Sequence, residues 1–253
     1  MSQPTISVAI ATYNEQDNIK RCLDSVTKWV DEIVVVDGTS SDNTVGIVKK
    51  FPHLKLVSTT NKIIFHINKQ KAIDLCRSDW ILQLDADEVV TPELRDEILA
   101  TIRQPSKYAG YWINRRNFFL GRFLTKGGVY PDPTIRLYLR GQGRLPCKDV
   151  HEQAVVDGPV GQLKHDLLHY ADPNFDRFLL CNHRYSSLLA RQITNPGFLD
   201  YFVFKPIFTF FSLYLRHRGY VDGFPGFVFA FYSALRFHSA YVKYWESHHV
   251  QKL

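Results

Sequence analysis

At 253 residues, with 45% hydrophobic and 22% charged side chains, the chain is long enough to bury a full core and has a globular rather than a disordered or collagen-like composition. Its formal net charge of +6 comes without a recognised nucleic-acid module, so the surplus suits an anionic small ligand or an anionic surface, and no nucleic-acid partner is expected. Cys22, Cys76, Cys147 and Cys181 form no Cys-x-x-Cys pair, which excludes a disulfide scaffold and points to a reducing compartment.

The N-terminal Met1-Ser2-Gln3-Pro4-Thr5 has no basic, then apolar, signal-peptide pattern. Residues 6–11 predict a buried strand, and the polar Thr12-Tyr13-Asn14-Glu15 leads into an amphipathic helix with Ile19, Leu23 and Val26 on one face. Asn14 is the expected N-cap of that helix, with Asp17 favourable in its first turn. Residues 32–37 read as a second strand ending in Asp37, before the turn-rich Gly38-Thr39-Ser40-Ser41-Asp42-Asn43-Thr44. A short strand at 55–58 and a helix at 68–77 follow. The helix carries Lys69, Gln70 and Lys71, and Lys71 is the candidate to reach a diphosphate, against the alternative of a solvated helix lysine.

Trp80-Ile81-Leu82-Gln83-Leu84 is again strand-like and ends in Asp85-Ala86-Asp87-Glu88, three carboxylates within four residues. Thr91 and Pro92 then supply an N-cap and a first-turn proline for a helix to about Arg103. Strands that alternate with helices, with no period of self-similarity, predict an α/β fold and exclude a solenoid. No Gly-x-Gly-x-x-Gly follows the first strand and no Gly-Lys-Ser/Thr loop occurs, which argues against nicotinamide or ATP chemistry. Three strands therefore deliver polar residues to one edge, where open α/β sheets bind their ligands. Clustered carboxylates repel one another and favour a hard divalent cation, Mg2+ or Mn2+, whose shell substrate phosphates complete. A plain helix-capping role for these acids is the competing reading.

In order and spacing these segments resemble the inverting glycosyltransferases of family 2, whose Rossmann-like nucleotide-binding fold is called GT-A. Thr12-Tyr13-Asn14-Glu15 is similar to that family's first-strand nucleotide motif, Val36-Asp37-Gly38-Thr39-Ser40-Ser41-Asp42-Asn43-Thr44 to its Asp-Gly-x-Ser-x-Asp-x-Thr segment, and Asp85-Ala86-Asp87 to its metal motif. The resemblance implies that Thr12, Tyr13, Glu15 and Asp37 hold the uracil and ribose of a UDP-sugar. It further implies that Asp85 touches ribose or metal and that Asp87 ligates the metal.

Past Gly110 the chain turns basic and loop-rich. From Arg115 to Lys148 it carries Arg115, Arg116, Arg122, Lys126, Arg136, Arg140, Arg144 and Lys148 against the single acid Asp132, which suits a diphosphate or a phosphorylated acceptor; Arg136 is the residue singled out for that role. Gly127-Gly128-Val129-Tyr130-Pro131-Asp132, Arg136-Leu137-Tyr138, Val150-His151-Glu152, Leu167-Leu168-His169-Tyr170 and Arg184-Tyr185-Ser186 resemble the branch of family 2 that includes the lipopolysaccharide-core β-1,4-glucosyltransferases. An inverting transfer needs one base to take the acceptor hydroxyl proton. The resemblance puts Glu152 in that position, with Asp149 and Asp132 as rivals. It also implies His169 as a ligand of metal or diphosphate, with a structural histidine as the alternative, and leaves His151 to orient substrate.

Residues 174–192 read as a helix, and the stretches 198–216 and 223–235 are crowded with Phe and Tyr but broken by Asp200, Lys205, Arg216 and Asp222. Neither reaches the roughly 18 to 20 uninterrupted apolar residues of a spanning helix, so they are expected to lie in a membrane interface, their basic residues toward anionic headgroups. Packing on the catalytic domain or a homo-oligomer contact is the alternative. The expectation is a GT-A domain over 1–172, its nucleotide half about 1–105 and its acceptor half about 106–172, followed by a helical membrane-associating region over 173–253. Its expected function is transfer of a hexose, glucose, from a UDP-sugar to a glycolipid such as lipopolysaccharide core, in the cytoplasm on the inner face of the membrane. The alternatives are a polyprenyl-phosphate sugar transferase and a non-catalytic membrane-bound carbohydrate- or nucleotide-binding module.

Overall fold

The computed structural model describes residues 3–62, 64–105, 107–148, 152–172, 174–194 and 196–250. The chain divides into two compact units, Met1–Arg115 with Asp132–Tyr170, and Arg116–Pro131 with Ala171–Leu253. In chain order the elements are β1 (Ile6–Thr12), α1 (Ile19–Val26), β2 (Glu32–Asp37), α2 (Thr44–Val48), β3 (Leu54–Ser58), α3 (His66–Asp74), β4 (Trp80–Asp85), β5 (Glu88–Val90) and α4 (Pro92–Arg103). Then come β6 (Gly110–Phe119), β7 (Arg122–Phe123), β8 (Asp132–Leu139), β9 (Gly143–Arg144), β10 (Val155–Val156), β11 (Val160–Gln162) and β12 (Leu167–Asp172). The helices α5 (Phe175–Gln192), α6 (Lys205–Phe211) and α7 (Gly223–His249) complete the chain, α6 being flanked by π-helical turns at Asp200–Phe204 and Ser212–Arg216.

The first unit is built on a mixed sheet of order β3-β2-β1-β4-β8-β6-β12-β5, in which β1 to β4 run parallel and β8 lies antiparallel to both β4 and β6. The chain steps outward from β1 to β2 and β3, then returns to the other side of β1 with β4. That reversal is the switch point at which open α/β sheets bind ligands, outside the carboxyl ends of the strands. Register makes the placement concrete: Thr12 pairs with Asp37, and Ala11 with Asp85.

Both faces of the parallel strands are covered, which is why their sequences read as nearly continuous apolar runs. Ile6, Val8, Ile10, Ile33, Val35, Leu82 and Leu84 pack on one face with Ile19, Leu23 and Val26 of α1 and Leu94 and Ile98 of α4. The alternate positions Ala9, Val34, Val36 and Ile81 pack on the other with Ala72, Ile73 and Cys76 at α3. Helix α4 starts as expected: Thr91 Oγ1 accepts from Leu94 N at 3.1 Å, and Pro92 occupies the first turn. The expected cap of α1 does not form. Asn14 adopts φ 54°, outside the helix, and its Oδ1 accepts from Ser41 N at 2.8 Å, so it ties the two strand-end loops together instead. Asn18 is the residue that precedes the helix.

In the second unit, Phe119, Leu124, Phe178 and Val228 form one apolar cluster, and Ile193, Tyr201 and Ala240 another. The segment 116–131, expected in the acceptor half, belongs here because Asp222 holds it. The Asp222 carboxylate, wholly buried, accepts from Thr125 N, Thr125 Oγ1 (2.8 Å) and Lys126 N (2.8 Å). Helix α7 runs well past the expected end at 235. Its polar second half packs along α5, with Arg236 Nε donating to Asn182 Oδ1 (3.1 Å) and Lys243 Nζ to Ser186 Oγ (2.7 Å). Among the described residues no helix is long and apolar enough to cross a membrane. Yet Phe204 (62% exposed), Ile207, Phe208 (69%), Phe211 and Leu215 present a row at helical spacing to solvent, and Phe224 (72%) is also exposed.

Candidate active site

The strand-end loops after β1 and β2 are laced by local hydrogen bonds. Asp37, 1% exposed, accepts from Ser40 N (2.9 Å) and Ser40 Oγ (2.5 Å). Asp42 accepts from Thr44 N, Thr44 Oγ1 and Gln16 N; burial would raise its pKa, but these donors hold it below the usual carboxylate range. Glu15 N donates to Thr44 Oγ1 at 2.8 Å, and Glu15 Oε2 accepts from Asn18 Nδ2 at 2.9 Å. Beside this rigid ring, Thr12 Oγ1 is buried with no hydrogen-bond partner, and Tyr13 stands 44% exposed. A buried hydroxyl left unpaired at a sheet's carboxyl edge is a vacancy that a ligand's polar group can fill.

Three of the acids, Asp85, Glu88 and Asp132, come together at the ends of β4 and β8. Arg136, buried on β8, donates from Nη2 to Asp85 Oδ2 (2.7 Å) and Glu88 Oε1 (2.6 Å), and from Nη1 to Gln83 Oε1. Arg115 donates from Nε to Asp132 Oδ2 at 3.0 Å and lies 3.6 Å from Glu88 Oε1. Lys69 of α3 ion-pairs with Asp85 Oδ1, which also accepts from Gln83 Nε2 at 3.2 Å. Burial would raise the Asp85 carboxyl, but Arg136 and then Lys69 hold it well below the usual carboxylate range.

Two candidate cations are placed otherwise than expected. Arg136 is held inside, both its terminal nitrogens donating to internal partners, Gln83, Asp85 and Glu88. Lys71 lies on the exposed face of α3, and the lysine that reaches the cluster is Lys69. Asp132, a rival for the base, is bound to Arg115.

Asp87 is the acid not drawn into that network. Its Oδ1 lies 3.6 Å from His169 Nε2, because β12 pairs antiparallel with β5 and sets His169 opposite Glu88. Tyr170 N donates to the Asp87 carbonyl at 2.9 Å. No group of three His, Cys, Asp or Glu side chains is arranged to hold a metal among the described residues. Asp87 and His169 nonetheless form an oxygen-nitrogen pair of the kind Mn2+ accepts, and Mg2+ and Mn2+ sites commonly rest on one or two protein ligands with phosphates and water. Asp85, already neutralised by two cations, suits ribose or a positioning role better than metal.

Glu152 is drawn toward the same helix. Its Oε1 accepts from Lys148 N at 2.6 Å and its Oε2 lies 3.9 Å from His66 Nδ1. His66 and Lys69 are three apart on α3 and so share a face, which places Glu152 and Asp85 on one helix turn. Gln70 Oε1 accepts from Leu145 N at 2.7 Å and fastens Leu145 to α3. Asp149 and His151 lie outside the described residues. Sequence reasoning passed over Gln83, Lys69 and His66; a glutamine in an apolar strand was the one available signal of a buried network.

The sequence model described as Glycosyl transferase family 2 matches residues 7–149. The lipopolysaccharide core biosynthesis glycosyltransferase LpsC of Rhizobium meliloti (strain 1021) is 28% identical over 251 residues, covering 91% of each chain. An uncharacterized glycosyltransferase of Rickettsia felis is 30% identical over 91% of this chain and 87% of its own length. Among solved structures, the mannosyltransferase PcManGT from Pyrobaculum calidifontis, in complex with GDP-Man and Mn2+, aligns with a TM-score of 0.55 at 13% identity over 98% of this chain and 89% of its own, a likeness of fold.

Proposed function

The chain belongs to glycosyl transferase family 2, and from that premise we propose that it transfers a hexose, glucose, from a UDP-sugar to a glycolipid such as lipopolysaccharide core, with inversion. The observation that carries this reading is the carboxyl edge at the switch point, where Thr12, Asp37 and Asp85 stand in register beside Asp87. Thr12 Oγ1, Tyr13, Glu15 and Asp37 bind uracil and ribose, and Asp85, held ionised, steadies the ribose end. Asp87 and His169 hold Mg2+ or Mn2+, which offsets charge on the departing diphosphate.

Glu152 takes the proton of the acceptor hydroxyl as its oxygen bonds to the anomeric carbon. The bond from that carbon to the diphosphate breaks on the opposite side, and its electron pair leaves with UDP. No covalent enzyme intermediate is needed. Lys148 N fixes the base oxygen, so little reorganisation is required.

The exposed Phe204, Ile207, Phe208 and Phe211 row suits insertion into the interface of a membrane's cytoplasmic face, where glycolipid acceptors are found. Released nucleotide from a panel of UDP-, GDP- and dTDP-sugars with Mn2+ tests the donor assignment. Turnover confined to UDP-glucose supports it, and preference for a GDP-sugar overturns it.

A further inference from the structure

We infer that Arg21 is a phosphate-binding residue of the donor site, gripping the diphosphate from the helix that follows the first strand. The inference rests on the reading of this edge as a nucleotide-sugar site and adds a residue that no motif supplies.

Arg21 lies on α1, just past the loop that carries Tyr13 and Glu15. Its Nη2 donates to Asn18 Oδ1 at 2.8 Å, and Asn18 Nδ2 donates in turn to Glu15 Oε2 at 2.9 Å. On its other side the guanidinium carbon stands 3.8 Å from the centre of the Tyr170 ring. Tyr170 follows His169, and its N–H donates to the Asp87 carbonyl. One side chain thus bridges the first nucleotide loop and β12, the strand that carries His169.

What separates Arg21 from its neighbours is how its charge is used. Lys69 is spent on Asp85, Arg136 on Asp85 and Glu88, and Arg115 on Asp132. Arg21 meets no carboxylate among the described residues; its contacts are an amide oxygen and a ring face. A guanidinium has five N–H donors in a planar fork, and Asn18 takes one of them through Nη2. The residue is exposed, so a ligand in solution can reach it. Asn18 and Tyr170 already hold it in place, which reduces the rotamer entropy lost on binding. A ligand with two charged phosphates draws on more than one cation, and Arg21, unlike Lys69, Arg136 and Arg115, is not committed to a carboxylate among the described residues.

The simpler role is a staple between α1 and β12. Calorimetric titration of the full chain with UDP and with uridine separates the two, with and without Mn2+, for wild type, Arg21→Gln and Arg21→Lys. If Arg21 binds phosphate, Arg21→Gln weakens UDP by roughly ten- to a hundredfold and leaves uridine within about twofold. Arg21→Lys recovers part of the loss, keeping the charge without the fork. Equal weakening of both ligands, or of neither, overturns the inference and leaves Arg21 a staple. If the wild-type protein binds neither UDP nor uridine, the donor reading itself fails and the inference falls with it.

Discussion

His169 Nε2 stands 3.6 Å from Asp87 Oδ1, although His169 lies on β12 and Asp87 in the turn before β5, and the antiparallel pairing of β12 with β5 brings them together. If this pair holds the metal, Asp87→Ala should abolish metal-dependent turnover, a loss of several kcal/mol of transition-state stabilisation, while the fold survives. His169→Gln should act differently: imidazole favours Mn2+ over the harder Mg2+, so its loss narrows the preference for Mn2+. Activity of each variant titrated with both metals checks this. Full activity of Asp87→Ala in excess chelator would sink the assignment.

The base is tested by an isosteric change. Glu152→Gln keeps the contact with Lys148 N but cannot accept a proton, so kcat should fall by roughly 10² to 10⁴ with UDP affinity little changed. Asp132→Asn, which removes a partner of Arg115, should lower stability more than it lowers kcat. The reverse pattern would move the base to Asp132.

Much of the parallel half was legible because strands covered on both faces write themselves as apolar runs ending in polar residues, as 32–37 and 80–85 do. Helical phase was not. Lys69 and Lys71 read alike, but two residues turn a helix by about 200°, so one faces Asp85 and the other solvent. The nearness of His169 to Asp87 left no local signal either, since it depends on the register of distant strands, and only the family resemblance put both on one metal. Arg136 looked like a ligand cation because positive charge in a strand does not say which face it takes; the apolar Ile135 and Leu137 on either side were the clue to burial.

The buried cluster makes stability depend on pH in a stated direction. The folded-state Asp85 carboxyl lies well below its unfolded value of about 3.9, so its stabilisation is present above that value and is lost as pH falls through the folded one. Arg136→Met leaves Glu88 and Asp85 short of a counter-ion and should cost about 3 to 5 kcal/mol near neutral pH. In that variant the Asp85 carboxyl moves up, so the acid loss of stability begins at higher pH. Urea unfolding of both proteins from about pH 3 to 7 reads out both effects, and parallel pH curves would contradict the link.

The exposed row on the second unit carries the membrane reading. Phe204, Ile207, Phe208, Phe211 and Leu215 face solvent, and burying one Phe side chain is worth about 1.5 to 3 kcal/mol. Phe204→Asp with Phe208→Asp should therefore reduce partitioning onto anionic vesicles by roughly a hundredfold or more. Both side chains are already wet, so the fold should hold and hydrolysis of a soluble donor should continue. Added salt should weaken wild-type binding only in part, because screening touches the headgroup attraction and not the apolar insertion. Vesicle sedimentation of the wild-type and double-variant proteins decides it: a wild-type chain that stays in the supernatant at low salt assigns these aromatics to a protein contact, and concentration-dependent dimerisation lost in the same variant would name that contact as a second copy.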